Sequence, residues 1–257
     1  MPGRKPLATP HDVMYLYDGG LKGFYTCVHT CVYSGKLPLA MSSVQSAQPS
    51  LLPQQWIETD AEKAERVRTA LAKKIDPRAQ ELVETVFLSC MQEKELPMLR
   101  FVLLCFEEGR KAINMMSHPD VSALLKAERH LTGEAHLLKG FIRFADYEGK
   151  LVAQIRPKNF VLPFIAEHFM ERFYSEDFLI YDKTNRAALI YENGQGQILP
   201  MESIVLPEAS EEELLYQALW KQFYRTIAIK ARENPKCRMT HMPKRYWAEM
   251  TEMREYL

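Results

Sequence analysis

Apolar positions recur along this chain with a period that changes partway. From about Asp60 to His136 the spacing is helical. Ala79, Leu82, Val83, Val86, Phe87, Cys90 and Met91 share one stripe behind Asp76-Pro77, an N-cap residue followed by proline at the first helical position. Pro97 opens another helix to about Gly109, apolar nearly all round between Met98 and Phe106, so its place is in a core. Ser117 before Pro119 starts a third helix, toward His136. Upstream, Val13-Met14-Tyr15-Leu16-Tyr17 reads as a short strand. It is closed by Asp18-Gly19-Gly20, whose glycines permit a tight turn into a helix over residues 21–34. Residues 1–11 read as a frayed tail, and 38–56, with its serines, glutamines and three prolines, as an extended connector.

After Leu138 the period shortens. Residues 140–145 and 151–155 flank a turn at 146–150, and 178–181 and 187–191 flank a turn at 182–186: two hairpins with a helix over about 163–173 between them. Lys139-Gly140-Phe141-Ile142-Arg143-Phe144, read as strand, places Lys139, Phe141 and Arg143 on one face. Phe141 then either stands between cations, as on nucleic-acid-binding sheets, or packs beneath a helix. Ser210 ahead of Glu211, Glu212 and Glu213 caps a last helix, to about Arg232. The expected fold is α+β. A mainly helical portion opened by a short strand (12–136) is followed by a small antiparallel β-β-α-β-β unit (137–206), then by a C-terminal helix with a basic tail (207–257).

Composition narrows the function through charge. Lys and Arg total 33 against 33 Asp and Glu, so any polyanion binding must come from local asymmetry. The asymmetry lies between Trp220 and Trp247, where Lys221, Arg225, Lys230, Arg232, Lys236, Arg238, Lys244 and Arg245 face a single acid, Glu233. Trp220, Phe223, Tyr224, Tyr246 and Trp247 are interleaved with them. Cations neutralise phosphates while aromatic faces stack on unpaired bases. Trp220, Phe223 and Ile227 also have the spacing of a core-facing helix stripe, which would leave the basic residues outside.

Other chemistry is sparse. Cys27-Val28-His29-Thr30-Cys31 holds potential ligands, but on a helix His29 points away from the two cysteines, and no metal is expected. Neither phosphate-loop nor dinucleotide fingerprint occurs, and no cofactor is expected. Five scattered cysteines, the lack of a long apolar run and a polar start point to reduced thiols, no membrane span and a cytoplasmic location.

Tyr17-Asp18-Gly19 with Gly23-Phe24, Thr132-Gly133-Glu134-Ala135-His136 leading to Gly140-Phe141-Ile142-Arg143-Phe144, and His241-Met242-Pro243-Lys244-Arg245-Tyr246-Trp247 resemble a bacterial family of DNA metabolism and DNA repair proteins. The likeness runs from about residue 12 to 250. It implies a radical S-adenosylmethionine protein as partner and DNA as the substrate of the system, since related domains occur fused to uracil-DNA glycosylase domains. Asp18 and Gly19 match the opening motif; His241, Lys244, Arg245, Tyr246 and Trp247 match the closing one. The expectation is a DNA-binding accessory protein. Arg225, Lys230, Arg232, Lys236 and Arg238 contact phosphates, Arg143 adds a cation from the sheet, and His241, Lys244, Arg245, Tyr246 and Trp247 form a more selective element. Two alternatives stand beside it. One is a DNA-processing hydrolase such as a base-excising glycosylase, with Asp18 or His241 as general acid or base. The other is a scaffold that docks the partner enzyme.

Overall fold

A computed structural model describes residues 7–229, 231 and 233–256. It is α+β and divides into two compact units between His130 and Leu131. Among the described residues no helix is long and apolar enough to cross a membrane.

The first unit opens on β1 (Thr9–Tyr17), which begins inside the stretch read as a tail. The supposed connector supplies β2 (Lys36–Ser43) and β3 (Gln54–Trp56). Both pair with β1 in parallel, in the order β2-β1-β3. Pro38 in β2 hid the strand from a pattern reading, yet proline is tolerated at a sheet edge, where its missing N–H removes no ladder bond. Between β1 and β2 runs α1 (Leu21–Ser34), closed by Gly35 in the left-handed conformation at φ 67°. Its buried face carries Phe24, Cys27, Val28 and Cys31.

The helices follow the periodicity. In α2 (Ala61–Ala70) the Asp60 carboxylate accepts from the Glu62 and Lys63 amides, and in α3 (Pro77–Phe87) Asp76 accepts from Arg78. The nearly apolar α4 (Glu95–Glu108) buries Met98, Leu99, Phe101, Val102, Leu103 and Cys105. α5 (Pro119–Phe141) gives Val121 and Leu124 to the first core, and Ala135 and Leu138 to the second.

The second unit departs from the expected sheet in three ways. α5 continues to Phe141, so residues 140–144 are not strand, Lys139 and Phe141 are helical, and Arg143 follows the helix. The first hairpin is the shorter pair β4 (Ala145–Tyr147) and β5 (Lys150–Ile155). From β5 the chain crosses through α6 (Leu162–Arg172) to β6 (Phe178–Asp182), which pairs with β5 in parallel. That crossover makes the sheet mixed rather than antiparallel. After β7 (Ala187–Glu192) comes β8 (Gln195–Pro200), too polar to stand out by pattern, giving the order β4-β5-β6-β7-β8. The C-terminal helix α7 (Glu211–Ile227) ends short of Arg232, and α8 (Pro235–His241) follows.

Candidate functional site

The second unit holds most of the residues singled out for nucleic acid, and it divides them sharply. Arg143 is spent on Glu252: its Nη2 lies 2.7 Å from Oε1, and its Nε donates to both oxygens. Trp220 Nε1 donates to the same carboxylate at 2.9 Å. Arg245 Nη2 donates to Glu134 Oε1 at 2.7 Å, and the Tyr246 hydroxyl donates to the same oxygen at 2.8 Å. Arg225 and Lys221 share Glu255. Tyr246 and Trp247, only 2% and 3% exposed, are core residues packed with Met250 and Met253, so the stacking role expected of them has no accessible ring behind it. Lys230 and Arg232 lie outside the described residues.

What stays open is smaller. On α8 and in the short 3-10 turn after it (Lys244–Glu249), Lys236, Arg238 and Lys244 have no carboxylate partner among the described residues. Arg238 lies over the rings of Trp247 (5.7 Å) and Tyr256 (5.1 Å), and Lys244 over Trp247 (5.5 Å). His241 is exposed, with Nδ1 3.0 Å from the Cys237 carbonyl and 3.6 Å from its Sγ.

The aromatic residues predicted to face the core do the reverse. On α7, Leu215, Tyr216, Leu219, Phe223 and Ile227 are exposed, Leu219 at 51% and Phe223 at 53%. The helix is held to its unit from another side: the buried Glu213 carboxylate accepts from the Asp146 amide at 3.0 Å, and Trp220 Nε1 donates to Glu252. Sequence spacing identified the stripe and could not say that, among the described residues, it is left exposed.

A buried polar network is the feature that pattern reading missed outright. Glu134, whose side chain is 1% exposed, accepts from the backbone amides of Lys158 (3.0 Å) and Asn159 (2.8 Å), from Asn159 Nδ2 (2.7 Å), and from Arg245 and Tyr246. Nearby, Asn185 Nδ2 donates to Asp182 and also to the Asn159 carbonyl. Burial pushes the Glu134 pKa up, but the hydrogen bonds from Asn159, Lys158 and Tyr246 outweigh it and hold the carboxyl below its usual range. Glu252 follows the same logic: burial opposes, the Arg143 bond wins, and the net shift is downward. Asp182 goes the other way, raised by burial despite bonds from Asn185 and Thr184.

The sign of the pH dependence follows. With Glu134 and Glu252 depressed in the folded state, the unfolded chain binds more protons just below the ordinary glutamate value of about 4.3. The stability these two contribute is therefore full above that value and is lost as pH falls through their folded values. Asp182 opposes folding above its raised pKa and recovers part of the loss on acidification. Urea melts of the second unit between pH 7 and pH 3 are expected to show a net fall in midpoint beginning near pH 4.5. A midpoint that rises over that interval contradicts the network's role.

In the first unit, Asp18 closes β1. Its Oδ1 accepts from the Gly20 amide at 2.8 Å and its Oδ2 from the Thr59 hydroxyl at 2.8 Å. Gly19 takes φ 87°, which a side-chain-bearing residue adopts only with strain. Along β2 from Leu39 to Ser43, between it and the segment that runs from Phe87 to Pro97, lies a cleft of about 890 Å³. Lys94 sits in its wall, with Nζ donating to the Phe87 and Ser89 carbonyls at 2.5 and 2.9 Å; burial lowers its pKa. Thus Asp18 belongs to the first unit, while Arg143, His241 and Arg245 belong to the second.

The cysteines sort by burial. Cys27, Cys31 and Cys105 are buried, which pushes their thiols to about 12, 11 and 12, whereas Cys90 and Cys237 are exposed. Within the Cys27–Cys31 segment, His29 stacks on Tyr33 at 4.1 Å. Among the described residues there is no group of three or more His, Cys, Asp or Glu placed to hold a metal ion.

A family model, DUF4130, a domain of unknown function, matches residues 92–252. The chain belongs to the DUF4130 family. Comparison with curated proteins and with solved structures gives no match. The DUF4130 segment begins in the loop before α4 and takes in the buried network, α7, α8 and the turn that carries Lys244 to Trp247. The parallel sheet, Asp18 and α1 to α3 precede it.

Proposed function

We propose that this DUF4130 protein is a DNA-binding accessory protein of DNA repair or modification, acting beside a radical S-adenosylmethionine enzyme. One observation carries the binding: Lys236, Arg238 and Lys244 stand on consecutive short elements without a carboxylate partner among the described residues, while Arg143, Arg225 and Arg245 are neutralised nearby. Unneutralised cations attract phosphates and release counterions; paired ones do so only after breaking a bond. The likeness of the closing motif to DNA metabolism proteins supplies the choice of DNA and of the enzyme partner. The core position of Tyr246 and Trp247 makes contact with the backbone, rather than ring stacking, the chief interaction of this segment.

Fluorescence anisotropy of a labelled oligonucleotide across a salt series tests this. Lys236→Glu with Lys244→Glu is expected to weaken binding at least about tenfold and to flatten the salt dependence by about two phosphate contacts. Equal affinity and equal slope for the variant sink the reading. A second reading, a scaffold for the enzyme partner, is favoured by the uncovered apolar side of α7, since amphipathic helices bind by laying such a side into a groove. Formation of the enzyme complex without DNA, and its loss in Phe223→Glu, distinguishes this reading.

A further inference from the structure

Single exposed apolar side chains are ordinary on a protein surface, but α7 presents a continuous row of them. Glu213, Trp220, Lys221 and Tyr224 fall on the side that meets its own unit: Glu213 accepts from the Asp146 amide, Trp220 donates to Glu252, Lys221 pairs with Glu255, and Tyr224 packs on the second core. Leu215, Leu219, Phe223 and Ile227, four residues apart, form another side, and each is more than half exposed, as is the neighbouring Tyr216. Such an i, i+4 row is a ridge, and the groove beside it accepts an identical ridge. Five side chains of this size, about half exposed, present on the order of 600 Å² of apolar surface per copy, near the roughly 800 Å² that each partner buries in a standard interface. Charge selects the occupant. α7 carries its acids, Glu211, Glu212 and Glu213, in the first turn and its cations, Lys221 and Arg225, in the second half, with no charged residue between. Glu255 offsets one of the two cations, which leaves one end negative and the other positive. A helix divided in this way meets opposite charge at both ends only against a second α7 laid antiparallel, where the macrodipoles also oppose; a partner of one sign would match half of it.

We propose that α7 is the interface of a two-fold dimer of this chain, in which the two helices lie antiparallel with Leu219 of each copy near the axis, so that Leu215 of one copy packs against Phe223 of the other. A two-fold interface sets one patch against itself, and a ridge with opposite charges at its ends is complementary to its own reversed copy. The dimer does not rest on the DNA reading, whose open cations lie on α8 and the turn after it. It gives to a second copy the face that the scaffold reading gives to the enzyme, so the purified chain alone decides between those two.

Sedimentation equilibrium of the full chain without DNA, from about 1 to about 200 µM, is expected to show monomer and dimer in exchange with a Kd in the micromolar range. Leu219→Glu is expected to raise that Kd at least about thirtyfold, because it sets two like charges at the centre of the interface. Its urea midpoint should stay at the parent's, since the position is exposed in the single chain. Orientation is read by cross-linking in a Cys90→Ser, Cys237→Ser background, which removes the two exposed thiols. A mixture of Leu215→Cys and Phe223→Cys chains treated with diamide is expected to join the two variants to each other at least about fivefold more than either to itself. A chain that stays monomeric to about 200 µM overturns the proposal. So does a dimer that Leu219→Glu leaves intact, or cross-linking within one variant that equals cross-linking between the two. Lys236 and Lys244 are unchanged in every variant, so failure here is separate from failure of the DNA reading.

Discussion

Glu134→Ala is expected to lower the stability of the second unit by about 3–5 kcal/mol, read as urea unfolding followed by the fluorescence of Trp220 and Trp247, both of which lie in that unit. The size comes from what the carboxylate leaves behind rather than from its own attraction. Removing it strands the Asn159 amide and side chain, the Lys158 amide, the Tyr246 hydroxyl and one arm of Arg245 in a place where the lost acceptor side chain was 1% exposed. Each orphaned buried donor costs about 1–3 kcal/mol, more when charged. Glu134→Gln keeps one acceptor oxygen and fills the same volume, so a smaller loss is expected. The double variant Glu134→Ala, Arg245→Ala should be less damaged than the sum of its parts, because the second change removes the stranded charge. A loss below about 1 kcal/mol for Glu134→Ala would show that the network packs without bearing weight.

The second large effect belongs to the first unit. A Cβ on Gly23 would fall inside the van der Waals shell of Asp18 Oδ1, within 2.8 Å of the Tyr17 ring and 2.9 Å of Thr59 Oγ1. None of these yields cheaply: Asp18 is pinned at both oxygens, and Tyr17 is almost fully buried. Gly23→Val is therefore expected to destabilise the first unit by about 2–3 kcal/mol, the scale of overpacking in a close-fitted site. Near-ultraviolet circular dichroism and the emission of Trp56 in β3 follow that unit. Adding Asp18→Ala should recover part of the loss. A Gly23→Val chain as stable as the parent would mean that the start of α1 moves freely against the end of β1.

The helices were legible because their signals are local. Asp76-Pro77 announces α3 by a cap and a fixed φ, and the stripe behind it buries Ala79, Leu82, Val83 and Val86 as the period requires. The parallel sheet was not legible for a physical reason. β3 spans three residues, all of them exposed, and β2 carries a proline; what makes them strands is pairing with β1, a partner distant in sequence. Residues 139–144 show the converse, since alternation over six residues also fits the last turn and a half of a helix, and α5 held on through Phe141. At the candidate site, the charge asymmetry of the C-terminal region was visible, but the pairing was not. Glu134, Glu252 and Glu255 that engage Arg245, Arg143 and Arg225 stand 111, 109 and 30 residues away from them. The two aromatic groups likewise exchanged places, with Tyr246 and Trp247 inside and Phe223 outside, because spacing reveals a stripe and only tertiary packing decides what faces it.

The partition of the cysteines gives the molecule a natural pair of labelling handles. Thiolate is the reactive form, so the three shielded, high-pKa sulfurs are slow toward maleimide dyes, whereas Cys90 and Cys237 are reachable. One handle falls in each unit, and a donor and an acceptor fluorophore can therefore be placed on the unmutated sequence to follow the distance between the units.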